Sequence, residues 1–172
     1  GMKNTTPIAI HLSCAASERP SQPALIAPDG YLTFRELEHQ SNVCAQGLRH
    51  VGIRPGTRTV LMATPGIDLM VLTYALMKLK AVPVLIDPGT GWRRLRKCLE
   101  DSEPEAFIGI PLAQCARILL RWAHQTVKIR ITVGRHKFLG DYTSQQVMRL
   151  GGDGRGFTPE ITQLDDPAAI LF

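Results

Sequence analysis

The sequence has little of what a disulfide-stabilised or metal-binding protein needs. Its four cysteines lie far apart and form no Cys-x-x-Cys pair, so neither a zinc ribbon nor a dithiol redox motif is indicated. Its five histidines are also scattered, and no two stand at the i, i+4 spacing of a helical metal site. We therefore expect reduced cysteines and no metal site. The residues concerned are Cys14, Cys44, Cys98 and Cys115, and His11, His39, His50, His124 and His136.

Long hydrophobic runs are also missing. The most apolar stretch, Leu69 to Leu79, is much shorter than the roughly 20 residues of a membrane helix and is followed by a lysine. The N-terminus has no basic region leading into an apolar stretch, as a signal peptide would. These absences predict a cytoplasmic protein with no membrane span.

The common nucleotide and nucleophile motifs are absent as well. There is no G-x-G-x-x-G, no phosphate loop with Lys followed by Ser or Thr, and no G-x-S-x-G elbow. Two glycine-rich stretches come nearest. "DPGTG" (87–91) is predicted to be a structural turn between a strand and a helix, and "GGDGRG" (151–156) a mobile connector.

The net charge of +5 does not by itself predict a nucleic-acid partner. The positive charge is dispersed, and its densest cluster contains only Arg93, Arg94, Arg96 and Lys97. We interpret this cluster as the solvated face of a helix.

Between residues 58 and 134, strand and helix patterns alternate with short connections. This alternation is typical of βαβ units, which build a parallel sheet covered by helices on both faces. The predicted fold is therefore α/β, in a chain whose 172 residues suffice for one domain. The predicted strands are 58–64, 82–87, 106–110 and 128–134, the last on an edge or half exposed, and the predicted helices are 67–80, 92–102 and 111–124.

A short hairpin and a well-marked helix precede this region. The turn "PDG" (28–30) lies between two apolar runs, which predicts an antiparallel pair of strands. Thr33 and Glu36 then form the capping-box pattern of a helix start. Gly52 marks the helix end, with Ile53 able to fold back on the last turn, so we expect a helix over 34–51.

These patterns divide the chain into four parts. Residues 1–22 form an N-terminal segment, 23–134 an α/β core, and 135–164 a weakly structured connector containing a short helix that ends near Leu150. Residues 165–172, "DDPAAILF", form a turn followed by a buried strand.

Three stretches together resemble the N-terminal part of the adenylate-forming enzymes. The first is "ALIAPDGYLTFRELEHQSNVCAQGLRHVGIRPGTRTVLM". The second is "YALMKLKAVPVLIDPGTG", which is followed by "RKCLEDSEPEAFI". The third is "DDPAAILF", similar to the run before the family's phosphate-binding signature. Lys80 stands where the family usually has glycine, and Pro167 where it has an aliphatic residue. Within the family, "DPGTGWRRLRKCLEDSEPEAFIGIP" is most similar to the long-chain acyl branch, including the β-lactone synthetases of bacterial olefin biosynthesis.

The resemblance implies an activity for a longer parent enzyme. A carboxylate attacks the α-phosphate of ATP, with Mg²⁺ present, and pyrophosphate leaves as acyl-AMP forms. The family's catalytic and ATP-binding residues would all follow Phe172. The resemblance therefore assigns no catalytic, cofactor-binding or metal residue here, and it implies an N-terminal fragment of an AMP-forming acid ligase that is inactive alone. ATP and Mg²⁺ would belong to the parent and not to this chain.

Two other functions stay open. The parent can be the adenylation component of a peptide synthetase, since its landmarks are the same. Alternatively, the chain is a non-catalytic α/β module that docks a partner through an unfinished sheet edge. For the truncated ligase we expect self-association, as a homodimer, through the apolar surface and strand edges that truncation leaves uncovered.

Overall fold

A computed structural model describes residues 23–27, 30–87, 89, 91–155, 157, 170 and 171. The predicted N-terminal segment, 1–22, lies outside the described residues, as does all but Ile170–Leu171 of the predicted final strand. None of the described helices is long and apolar enough to cross a membrane.

The described strands form two sheets. β1 and β2 pair antiparallel in the hairpin expected from the sequence. β3 to β8 form a parallel sheet in the order β7-β6-β5-β3-β4-β8. The strands are β1 Pro23–Ala27, β2 Gly30–Thr33, β3 Arg58–Met62, β4 Val82–Leu85, β5 Ala106–Gly109, β6 Ile129–Thr132, β7 Tyr142–Thr143 and β8 Ile170–Leu171.

The helices of the described part cover both faces of this sheet. They are α1 Phe34–His50, α2 Ile67–Lys78, α3 Trp92–Ser102, α4 Pro111–Leu119 and α5 Ser144–Leu150. Helices α1, α2 and α5 pack on one face around a cluster that includes Leu48, Leu76 and Val147. Helices α3 and α4 pack on the other face around a second cluster, which includes Leu99, Phe107 and Ala113. The predicted α/β fold, a mainly parallel sheet flanked by helices and preceded by a short hairpin, is confirmed.

Local signals fix the ends of α1. The Thr33 hydroxyl accepts the amide of Glu36 at 3.1 Å, and the Glu36 carboxylate accepts bonds from the hydroxyl and amide of Thr33. At the other end, Gly52 has a positive φ of 112°, which glycine adopts without strain. The amide of Ile53 then donates to the Leu48 carbonyl at 3.0 Å, and the Ile53 side chain is buried.

Helices α1 and α5 approach so closely that their backbones nearly touch. A methyl group at Gly47 would overlap the carbonyl of Val147, and one at Gly151 would overlap the carbonyl of Val43. Glycine is therefore required at both positions by the contact across the two helices.

Several boundaries differ from the sequence prediction. Helix α4 ends at Leu119 and not near His124, because the chain turns through Arg121 and Ala123, both at positive φ. This turn carries the side chain of Trp122 into the second cluster. Helix α2 ends at Lys78, and Lys80 follows with a φ of +60°, the conformation that the family's usual glycine adopts freely.

The region after residue 134 contains more regular structure than predicted. The expected weakly structured connector, 135–164, contains β7 and α5, and α5 begins with a second capping box between Thr143 and Gln146. Strand β7 pairs with β6, so β6 is half exposed at its start but is not an edge strand. The glycine stretch predicted as a mobile connector packs on α1 through Gly151 and Gly154.

Candidate functional site

The sheet has a topological switch point between β3 and β5. The chain leaves β3 through α2 on one face and leaves β5 through α4 on the opposite face. In open α/β sheets, ligands bind outside the carboxyl ends of the strands, where adjacent connections diverge in this way. The candidate site is therefore the carboxyl edge at β5, β3 and β4.

Three helices begin at this edge without a side-chain cap. The N-cap residues of α2, α3 and α4 are Gly66, Gly91 and Ile110, and none provides a side-chain acceptor. Helix α5, farther along the same edge, has a full capping box. At the starts of α2, α3 and α4 no capping side chain accepts from the first amides, although this does not identify a ligand.

The loop after β4 is a structural turn, as predicted. The exposed Asp87 carboxylate accepts the amide of Gly89 at 2.8 Å, which closes an Asx-type turn. Beside it, β8 pairs in parallel with β4 through Leu85 and Leu171. The carboxyl end of β8 thus lies next to the start of the "DPGTG" loop.

A groove of about 310 Å³ lies between α1, α2, α5 and the turn after β6. Its lining includes the charged Asp68 and Arg135 and the buried Cys44. Burial, helped by the negative charge of Asp68, raises the pKa of the Cys44 thiol to about 12. This cysteine is therefore a thiol at neutral pH and is not a nucleophile.

The buried ionic network between α1 and α2 was not predicted from the sequence. The Lys78 ammonium is fully buried, 3.1 Å from Glu38 Oε2, and it donates to Ser41 Oγ and Asn42 Oδ1 at 2.7 Å each. Burial lowers the pKa of Lys78, and the Glu38 carboxylate works in the opposite direction. The available signal was a lysine in the last turn of a largely apolar helix. We assign this network a structural role, because all its members lie on α1 and α2, away from the sheet's edge.

No site residue was predicted for this chain, and that expectation stays a prediction. Among the described residues, no group of three or more His, Cys, Asp or Glu side chains is arranged to hold a metal ion.

Two curated relatives match almost the whole chain. It is 43% identical, over 96% of its length, to an olefin beta-lactone synthetase of Stenotrophomonas maltophilia. It is 44% identical, again over 96% of its length, to an olefin beta-lactone synthetase of Xanthomonas campestris. The chain spans about a third of the length of these relatives (32% and 31%).

A solved structure shows the same fold. The long-chain-fatty-acid-CoA ligase of Archaeoglobus fulgidus superposes with a TM-score of 0.84 at 21% identity, covering 99% of this chain and 35% of that one. The family described as AMP-binding enzyme matches residues 12–172. The chain therefore belongs to the AMP-binding enzymes, the adenylate-forming ligase family, as its sequence motifs predicted.

Proposed function

We propose that this chain forms the N-terminal part of an ATP-dependent ligase that converts an acyl acid into its acyl-adenylate. The observation that carries the proposal is the position of β8. It lies parallel to β4, so a chain continuing past this strand would leave it at the carboxyl edge of the sheet, where α3 begins. In the adenylate-forming enzymes that this sequence resembles, the phosphate-binding signature directly follows this strand.

The division of labour follows from this geometry. The described residues supply a sheet edge and helix starts that carry no competing side-chain cap. The groups that hold ATP, and Mg²⁺ with it, would come from residues after Phe172. Such sites work by positioning the reactants and by stabilising charge on the transferred phosphorus. On its own, the chain is expected to form no adenylate.

An acyl acid is favoured over an amino acid as the substrate. The two relatives that are 43% and 44% identical over 96% of the chain are both named for β-lactone formation. A β-lactone is the inner ester of a β-hydroxy acid, so a β-hydroxy fatty acid is the substrate to test first. The peptide-synthetase alternative predicts an amino acid in its place.

Acid-dependent exchange of labelled pyrophosphate into ATP tests the proposal. The assay compares this chain alone, the Xanthomonas relative, that relative without its first third, and a chimera in which this chain replaces that third. We expect exchange with β-hydroxy and plain fatty acids from the relative and from the chimera, and from neither partial protein.

The outcomes separate the alternatives. A chimera that is soluble, melts cooperatively and still gives no exchange would contradict the proposal and favour a non-catalytic module. Exchange that depends on amino acids alone would favour the peptide-synthetase assignment. Exchange by this chain alone would overturn the proposed division of labour.

A further inference from the structure

The exposed face of α3 carries its charges in two separate blocks. Its first half has four exposed cations, and its second half has two exposed carboxylates, followed by a third at the C-cap. The cations are Arg93, Arg94, Arg96 and Lys97, and the acids are Glu100, Asp101 and Glu103. The helix is therefore positive near the carboxyl edge of the sheet and negative near the opposite edge.

This order is the reverse of what favours an isolated helix. Cations near a helix start and anions near its end both interact unfavourably with the helix dipole. One pair within the helix offsets part of this, since Arg96 Nε lies 3.2 Å from Glu100 Oε1, with both side chains more than half exposed. Exposed pairs of this kind contribute little, so the charge order brings the single molecule no clear gain.

The neighbouring helix α4 exposes large apolar side chains on the same layer. Leu112 and Leu119 are 73% and 79% exposed, and Ile118 is 44% exposed. Helices α3 and α4 both contribute side chains to the second cluster, so the charged and apolar surfaces belong to one layer of the molecule. We call this outer surface the α3/α4 face.

We propose that the α3/α4 face is a two-fold symmetric interface with a second copy of this chain, in which the two α3 helices run antiparallel. A helix that is positive in one half and negative in the other is complementary to itself when reversed. Centred between Cys98 and Leu99, this pairing brings Lys97 opposite Glu100 of the partner subunit. Because the interface is isologous, every contact occurs twice.

The exposed leucines and the acidic side chains together favour a second copy of this chain over an anionic partner. A nucleic acid or lipid surface would gain from the four cations but would be repelled by the three carboxylates. A small anion would leave Leu112 and Leu119 exposed. A second copy satisfies both charge blocks and also covers the apolar side chains, which supply the central contacts of stable interfaces.

Charge reversal gives a sharp test, with sedimentation equilibrium at low salt as the measurement. The single variants Lys97→Glu and Glu100→Lys each place like charges opposite one another, so we expect dimerisation to weaken at least about tenfold. The double variant K97E/E100K restores the complementarity and the dimer. An equimolar mixture of the two single variants also forms a dimer, because the acidic side chains of one variant then face the basic side chains of the other.

The matched control is Arg149→Glu, which makes the same charge change on α5, on the other face of the sheet. It is expected to leave dimerisation unchanged. Raising the salt concentration should weaken the unmodified dimer, since exposed charges are screened. Circular dichroism and melting curves check that each variant is folded.

Three results would overturn the proposal. One is a protein that stays monomeric at low salt and high concentration. Another is a dimer that K97E and E100K do not weaken, which would favour the sheet-edge contact predicted from the sequence. The third is failure of the mixed single variants to associate. None of these measurements depends on ligase activity, so the proposal stands or fails separately from the proposed function.

Discussion

The two helical layers that cover the sheet are built differently. In the α1/α2/α5 layer the helices contact each other directly, through the glycine contacts of α1 with α5 and the buried Lys78 between α1 and α2. In the α3/α4 layer the helices bury one side against the sheet and expose charges and leucines on the other.

The difference shows how contacts determine tolerance to substitution. A helix packed on the sheet and on other helices has few positions where a side chain can change freely. A helix packed on the sheet alone leaves half its surface open to a different use, such as the interface proposed above. The following predictions test this contrast.

The largest effect is expected at the contact between α1 and α5. In Gly47→Ala the new methyl group meets the Val147 carbonyl, so the helices must separate. We expect a loss of about 3 kcal/mol in the free energy of unfolding, even after the gain in helix propensity. Chemical denaturation measures it.

Gly91→Ala is the control for that substitution. Position 91 is the N-cap of α3, with open space around it and a negative φ, so the loss should stay within about 1 kcal/mol. Equal losses in the two variants would contradict the proposed close contact.

The next largest effect is expected at the buried lysine. Glu38→Gln keeps the shape of the side chain but removes the charge that offsets the burial of Lys78, and should cost about 2 kcal/mol near pH 7. Glu105→Gln, an exposed carboxylate, is the control. A loss of the same size at position 105 would contradict the assignment.

The loss of stability caused by Glu38→Gln should become smaller as the pH rises. Burial holds the pKa of Lys78 below its ordinary value, so the unfolded chain keeps this proton to higher pH than the folded one. The free energy of unfolding therefore rises with pH between the lowered pKa of Lys78 in the folded chain and its ordinary pKa in the unfolded chain. Without the Glu38 carboxylate the pKa falls further, which extends the window to lower pH. Denaturation curves of E38Q between about pH 7 and pH 9.5 check the slope.

A smaller effect of opposite sign is expected at the end of α2. Lys80 has a φ of +60°, so Lys80→Gly relieves backbone strain and should stabilise the protein by about 0.5 kcal/mol. Lys97→Gly, in the middle of α3, should instead cost about 1 kcal/mol. Chemical denaturation should show a higher midpoint for Lys80→Gly and a lower one for Lys97→Gly. A lower midpoint for both variants would contradict the strain at Lys80.

The smallest effect is expected on the outer surface of α4. Leu119 is 79% exposed, so Leu119→Ser should change the stability of the monomer by less than about 0.5 kcal/mol. Measurement at low protein concentration keeps the dimer from contributing. A loss of several kcal/mol in the free energy of unfolding, as for a core leucine, would show that the outer surface of α4 is packed like the α1/α2/α5 layer.

The features predicted well from the sequence depend on neighbouring residues. The Thr33–Glu36 capping box and the end of α1 at Gly52 and Ile53 each involve a few consecutive positions, so their patterns were sufficient. The strand and helix alternation predicted the fold class for the same reason.

The missed features depend on contacts between distant segments or on turns with no sequence signal. The packing of Gly47 on Val147 joins positions that only the fold brings together. The end of α4 was missed because Arg121 and Ala123 adopt positive φ without a glycine to mark the turn. No reactive side chain was predicted at the candidate site. The site is recognised from the order of the strands and from the helices that begin at the sheet's carboxyl edge, which single sequence motifs do not mark.

The pairing of β8 with β4 also affects the order of folding. Val84 and Ile170 pair although they lie in distant parts of the sequence, while β3, β4 and β5 are joined by short βαβ crossovers. Closing the longer loop costs more chain entropy, so β8 should join the sheet after the strands beside it have formed. During synthesis, the outer edge of β4 would then be the last part of the sheet to find its neighbour, and pulse-labelled hydrogen exchange would show late protection there.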